Sequence, residues 1–355
     1  MVDWTLAERI ADAVAGGQGD TRPAPPPGDL TAMAERSRAA VVAYARLQPA
    51  TPIPPLEAVG RATWARANLV TMRTTLAPML DRLDATGAAA GPFGAPLRAA
   101  AGRLMAAEVG GLVGLMSRRV LGQYELALLD ITAPPRLLLV APNLASAAAE
   151  MKAEPEELLS WVVIHEVTHA VQFTGVPWLR EHLGGLLAEL LSSVDFRIDP
   201  TALLRLPKRE DLTGLWDAVR EGGLVTAVVG PERRAVLDRV QATMALVEGH
   251  AEHVMDAAGA PLLPSLPSLR AALDRRRRER PPLARLLERL LGLDLKMRQY
   301  EVGKRFCDAV VERGGIEGLN RAWASPDQLP SLAELDDPAA WMRRTQVRLI
   351  TKSAG

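Results

Sequence analysis

Between Leu158 and His169 the chain places two histidines and a glutamate inside an otherwise apolar run, Leu158-Leu159-Ser160-Trp161-Val162-Val163-Ile164-His165-Glu166-Val167-Thr168-His169. Glu154-Pro155-Glu156-Glu157 just upstream is a good helix start, with proline in the first turn and acids near the amino end. The spacing predicts a helix over about 155–174 that is apolar almost all round, and therefore buried. His165 and His169, at i and i+4, project from one face a single turn apart. Two imidazoles and a carboxylate buried with nothing to satisfy them would be costly. One zinc ion meets both rings at the usual zinc–nitrogen distance of about 2.0–2.1 Å. Glu166 points to the side of the ligand pair, where it can take a proton from the attacking water and deliver it to the leaving group.

A third ligand has to come from elsewhere. The extended metzincin pattern would need glycine and histidine where this chain has Gln172 and Gly175, so that subclass is excluded. Leu246-Val247-Glu248-Gly249-His250-Ala251-Glu252-His253 looks like the third-ligand helix of the gluzincins, which implies Glu248 as ligand and Glu252, one turn later, as the acid that orients a ligand histidine. His250, His253 and His182 are rivals for the third position. A donor to the developing oxyanion is also needed, and Tyr300, one of three tyrosines, and His253 are candidates.

The rest of the composition is plain. Of 355 residues 48% are hydrophobic, and 42 Lys+Arg balance 42 Asp+Glu. A formal net charge of zero gives no field to steer nucleic acid or an anionic membrane surface. The single cysteine, Cys307, excludes an internal disulfide framework. No cationic start and apolar core marks a secretory signal, and no stretch reads as the roughly 18 to 20 apolar residues of a membrane span. The expectation is a cytoplasmic protein without nucleic-acid or membrane partners.

Along the chain, residues 1–28 are expected to be a flexible N-terminal segment, Gly/Pro-rich from Gly16 to Gly28, ahead of a single domain over 29–355 with a helical lobe at about 176–230. A helix starts near Asp29 or Thr31. Long helical stretches follow at about 56–83 and 96–121, the latter with Gly110, Gly111 and Gly114 as small residues for close helix packing. Arg136 to Ala141 is the clearest strand, expected to offer an edge to an extended substrate. Beyond it helices are expected at about 178–192, 209–221, 231–258, 268–278 and 282–312, with a short C-terminal pair. The fold class is mostly α with a small β portion, the metal lying between two core helices. Arg275 to Arg280 reads as a solvated helix end.

The strings Val120-Leu121-Gly122-Gln123-Tyr124, Leu138-Leu139-Val140-Ala141-Pro142-Asn143, His165-Glu166-Val167-Thr168-His169-Ala170-Val171-Gln172-Phe173, Val176-Pro177-Trp178-Leu179, Glu248-Gly249-His250-Ala251, Gln299-Tyr300 and Asn320-Arg321-Ala322-Trp323 carry a resemblance. Over about residues 50 to 345 the chain resembles an actinobacterial zincin-like metallopeptidase family whose members are associated by name with deazaflavin coenzyme biosynthesis. The resemblance implies a mostly helical zincin-like fold with zinc on His165, His169 and a downstream helix, and supplies no substrate. The expected activity is zinc-dependent hydrolysis of a peptide bond. The alternatives are a zinc amidase acting on a small metabolite and a non-catalytic zinc-stabilised scaffold for a partner protein. Phe173 and Trp178 could pack in the core or line the cleft.

Overall fold

The computed structural model describes residues 2–17, 26–85, 94–192, 231–278 and 293–347. Chain contacts divide it into two compact units, Met1–Glu181 with Val254–Leu273, and His182–His253 with Asp274–Gly355.

The first unit opens with α1 (Trp4–Ala15), capped by Asp3, whose side chain accepts from the Leu6 N–H at 3.0 Å. The expected flexible segment is therefore a helix over most of its first half. Ala7, Ala11 and Ala15 form a stripe of small residues, all fully buried. They meet α4 (Gly94–Ser117), where a Cβ on Gly110 would strike the Ala7 backbone and one on Gly114 would lie 2.7 Å from Val14. Gly110 and Gly114 are thus packing glycines, and this contact gives α1 its place. The part of α4 from Ala99 to Ser117 has the length and mean hydropathy (1.3) of a membrane span, contrary to the sequence reading, although α1 packs along it as a core helix would.

Helix α2 (Leu30–Ala45) starts where expected, with Asp29 accepting from Thr31 and Ala32 N–H groups. Leu56–Val59, read as the start of a helix, is instead strand β1, and α3 (Arg61–Ala85) begins only after Gly60. Pro54 and Pro55 push the residue before each toward an extended backbone, and parallel pairing with β3 (Arg136–Val140) carries the extended chain on through Leu56–Val59. Strand β2 (Gly122–Glu125) pairs antiparallel on the other side of β3, giving the order β1-β3-β2. The strand expected to be an edge is therefore the centre, which explains why Leu137 to Val140 are all buried. Among the described residues the outer strands are β1 and β2.

From β3 the chain passes without a loop into α5 (Ala141–Met151), a helix not anticipated from the sequence. Asn143 there ties three elements together: its Nδ2 donates to the Ser117 and Val120 carbonyls at 2.8 and 2.6 Å, and its Oδ1 accepts from Arg61. Then comes α6 (Pro155–Gly175), buried along nearly its whole length, with β2, β3, α2 and α5 packed around it. After it α7 (Pro177–Ser192) begins, and its Arg180 reaches back to the β2–β3 loop.

The second unit contains most of α8 (Pro231–Gly259), whose last residues, with α9 (Leu266–Arg278) as far as Leu273, belong to the first. Helix α8 meets α10 (Leu293–Asn320) backbone to backbone, since a Cβ on Gly249 would strike Gly303. Two short helices, α11 (Leu332–Asp336) and α12 (Pro338–Arg344), close the chain. Trp341 of α12 packs edge-on against Phe306 at 5.2 Å. The helix expected at 209–221, the lobe beyond Ser192, the start of that expected at 282–312 and the end of the arginine run lie outside the described residues. The fold is mostly helical with a small sheet, consistent with a zincin-like fold.

Candidate metal centre

Because α6 is surrounded, its polar residues have to be satisfied inside. Thr168 and Thr174 bond back to the carbonyls of Ile164 and Ala170. His165 and His169 instead turn their Nε2 atoms toward each other at 3.3 Å, with the rings edge to face. Two nitrogens each about 2.05 Å from a tetrahedral ion would stand about 3.3 Å apart. The donor pair therefore fits zinc without rearrangement. A carboxylate oxygen of Glu248 completes the group, its ligand atom and those of both histidines all lying within 4.8 Å of one another. His165 also stacks on Trp161, one turn earlier, at 6.2 Å between ring centroids and 8° between planes.

Glu166 is only 7% exposed. Its Oε2 accepts the backbone N–H of Tyr124 at 2.7 Å. This is a charge-assisted bond from the free edge of β2, because the neighbouring Leu121 carbonyl is the one that faces β3, accepting from Val140. Gly122 allows the approach: a Cβ there would lie 2.7 Å from Val162 and 2.9 Å from Cγ of Glu166. The Tyr124 ring rests on Phe173 at 5.9 Å, so Phe173 packs against the edge strand. Burial pushes the Tyr124 phenol up to about 12, with Arg180 pulling the other way.

The remaining sequence candidates fall in different places. Glu252 is buried on α8, one turn beyond Glu248. His250 is fully buried with its ring edge-on to Trp323 at 5.3 Å, outside the ligand group. His253 Nδ1 pairs with Asp308 at 2.7 Å, and Lys304 holds the other oxygen. Burial pushes Asp308 up, but His253 and Lys304 together bring its carboxyl below the ordinary range. His182, also outside the group, is lowered by burial and then by the charge of Arg239. Tyr300 lies on α10, but its side chain is outside the described residues.

Sequence reasoning missed Gly122 and Tyr124 as neighbours of Glu166. The Gly-Gln-Tyr string carried the only signal, and only through resemblance.

A buried His-Glu-x-x-His helix packed against the edge of a small mixed sheet defines a zincin-type centre. The model for the zincin-like metallopeptidase family matches residues 2–342, and the chain belongs to that family. The match takes in α1, ahead of the segment that carried the resemblance in sequence. A crystal structure of a protein from Chloroflexus aurantiacus, described as a candidate hydrolase with a novel fold, is similar at 28% identity and a TM-score of 0.71. The match covers 98% of this chain and 100% of that one. A search of curated proteins finds no match.

Proposed function

We propose that this protein is a zinc-dependent hydrolase that cleaves peptide bonds. Family membership and the hydrolase-like relative support hydrolysis. The observation that carries the reading is Glu166: a carboxylate buried beside the His165–His169 pair and aimed by the Tyr124 N–H. A purely structural zinc site has no use for such a base.

In this reading His165 and His169 bind through Nε2, and Glu248 is the third ligand. Zinc held there would lower the pKa of a bound water to about 7 and polarise the carbonyl under attack. Glu166 takes the proton of the attacking water on the oxygen not held by Tyr124, then passes it to the leaving nitrogen. The N–H of Tyr124 keeps that carboxylate oriented through both transfers. Glu252 orients a ligand histidine, and Tyr300 donates to the oxyanion. Unchanged turnover by Tyr300→Phe would remove that last role.

Metal content of wild type and Glu166→Gln, with cleavage of an unbiased peptide library, tests the proposal. One zinc per chain in both and cleavage by wild type alone is the expected result. Zinc in both with cleavage by neither would exclude a peptidase and leave an amidase of small metabolites or a binding scaffold.

A further inference from the structure

Between Trp161 and Gln172, His165 is the one residue of α6 that is not buried. Packing does not fix a half-buried ring on every side, so its neighbours on the helix have to hold the rotamer that turns its Nε2 toward His169. Helical side chains lean toward the amino end. The His165 ring therefore lies over the turn that carries Trp161, within 8° of the indole plane and 6.2 Å from it between centroids. Offset stacks at such separations are a preferred arrangement of aromatic rings. Toward the carboxyl end the same ring meets His169 edge to face, with centroids 4.7 Å apart.

Trp161 itself is only 7% exposed, so its ring has little freedom to move away. Its indole N–H is shielded from water and makes no hydrogen bond to a described residue. A donor buried in that way is unfavourable. Leucine would fill a core position here without stranding a donor. What tryptophan supplies and leucine lacks is a flat, electron-rich face alongside His165.

We infer that Trp161 is a positioning residue for the metal: it holds His165 in the ligand rotamer and raises the affinity of the site for zinc. The inference rests on the zinc reading of His165, His169 and Glu248, and adds to it a side chain outside the ligand group. An imidazole that shares its lone pair with a cation becomes electron-poor, and the face of an indole attracts such a ring. The stack is therefore stronger when the metal is bound. By linkage, what zinc adds to the stack the stack adds to zinc binding. A contact of this kind changes affinity by roughly 2- to 30-fold.

The test compares Trp161→Phe, which keeps an aromatic face and loses the N–H, with Trp161→Leu, which keeps apolar volume and loses the face. Competition with a chromophoric chelator reads zinc affinity, and the visible bands of the Co²⁺ form read the geometry around the ion. Trp161→Leu should bind zinc about 10-fold more weakly and shift the Co²⁺ bands, while Trp161→Phe should stay within about 3-fold of wild type. A role in core packing alone would move the urea midpoints of metal-free and zinc-loaded protein together. Zinc should instead add less to the midpoint of Trp161→Leu than to that of wild type. Wild-type affinity in Trp161→Leu, or an equal loss in both variants, overturns the inference. Should Trp161→Leu fail to fold, wild type and Trp161→Phe decide the matter. Zinc should then perturb the indole absorption of wild type, and a difference band that persists in Trp161→Phe overturns the inference. Wild type that binds no zinc overturns the ligand set and this role with it, whereas equal zinc affinity in wild type and Trp161→Leu overturns the role alone.

Discussion

Gly122 and Glu166 are so close that a Cβ on the glycine would come within 2.9 Å of the glutamate's Cγ. Alanine at 122 therefore has to push the carboxylate, the strand, or both. A shift of about 1 Å at a reacting group costs on the order of 100-fold. Gly122→Ala should lose about that factor in kcat/KM while retaining its zinc, as read by parallel kinetics and metal analysis. Unchanged turnover would show that the base tolerates displacement.

The glycines differ in what surrounds them, and their alanine variants should differ in sign. A Cβ on Gly249 meets the Gly303 backbone, and one on Gly303 meets Ala245. Backbone cannot swing aside as a side chain can, so either alanine should destabilise by about 1–3 kcal/mol or more. A Cβ on Gly111 of α4 would meet nothing within 4 Å. Gly111→Ala should stabilise by up to about 1 kcal/mol through helix propensity. Urea midpoints of the three variants decide the matter.

Glu334 and Arg344 give a pH-dependent contribution. The hydrogen bond from Arg344 holds the Glu334 carboxyl below its ordinary value of 4.5, against a smaller opposing effect of burial. A depressed folded pKa means stability that is full above about 4.5 and lost as pH falls through the lower folded value. The pair is partly solvated, so its worth is about 1 kcal/mol at most. The Tm difference between wild type and Glu334→Gln should be constant from neutral pH to about 5 and shrink below it. A difference that persists in stronger acid would assign the effect to packing.

Metal should stabilise the fold by mass action. At free zinc of 100 times the dissociation constant the gain is about 2.7 kcal/mol. Chelation should therefore lower Tm, and the gain on adding zinc back should vanish in His165→Ala. An apo protein with the Tm of the holo form would argue against the ligand set.

What could be read from the sequence was local. Asp29 and Pro155 announce their helices within a turn, and His165, Glu166 and His169 belong together by i, i+4 spacing alone. Leu56–Val59 was opaque because its partner, Leu137–Val140, lies about 80 residues away and four residues show no clear period. Helix α1 was opaque for another reason. Its buried stripe is alanine, which contrasts little with its neighbours, and its docking depends on Gly110 and Gly114, which carry no side chain. Glu248 was suggested only by likeness to other third-ligand helices, and Gly249 after it now has a packing reason. The partner of Glu166 was invisible because the donor is a main-chain group that nearly every residue shares.

That last point bears on how the site can change over generations. Since the N–H of residue 124, and not its side chain, holds Glu166, any codon at that position except proline preserves the bond. The ring at 124 can change while the carboxylate keeps its anchor. Tyr124→Pro should lower hydrolysis, while replacements that keep the N–H should retain it.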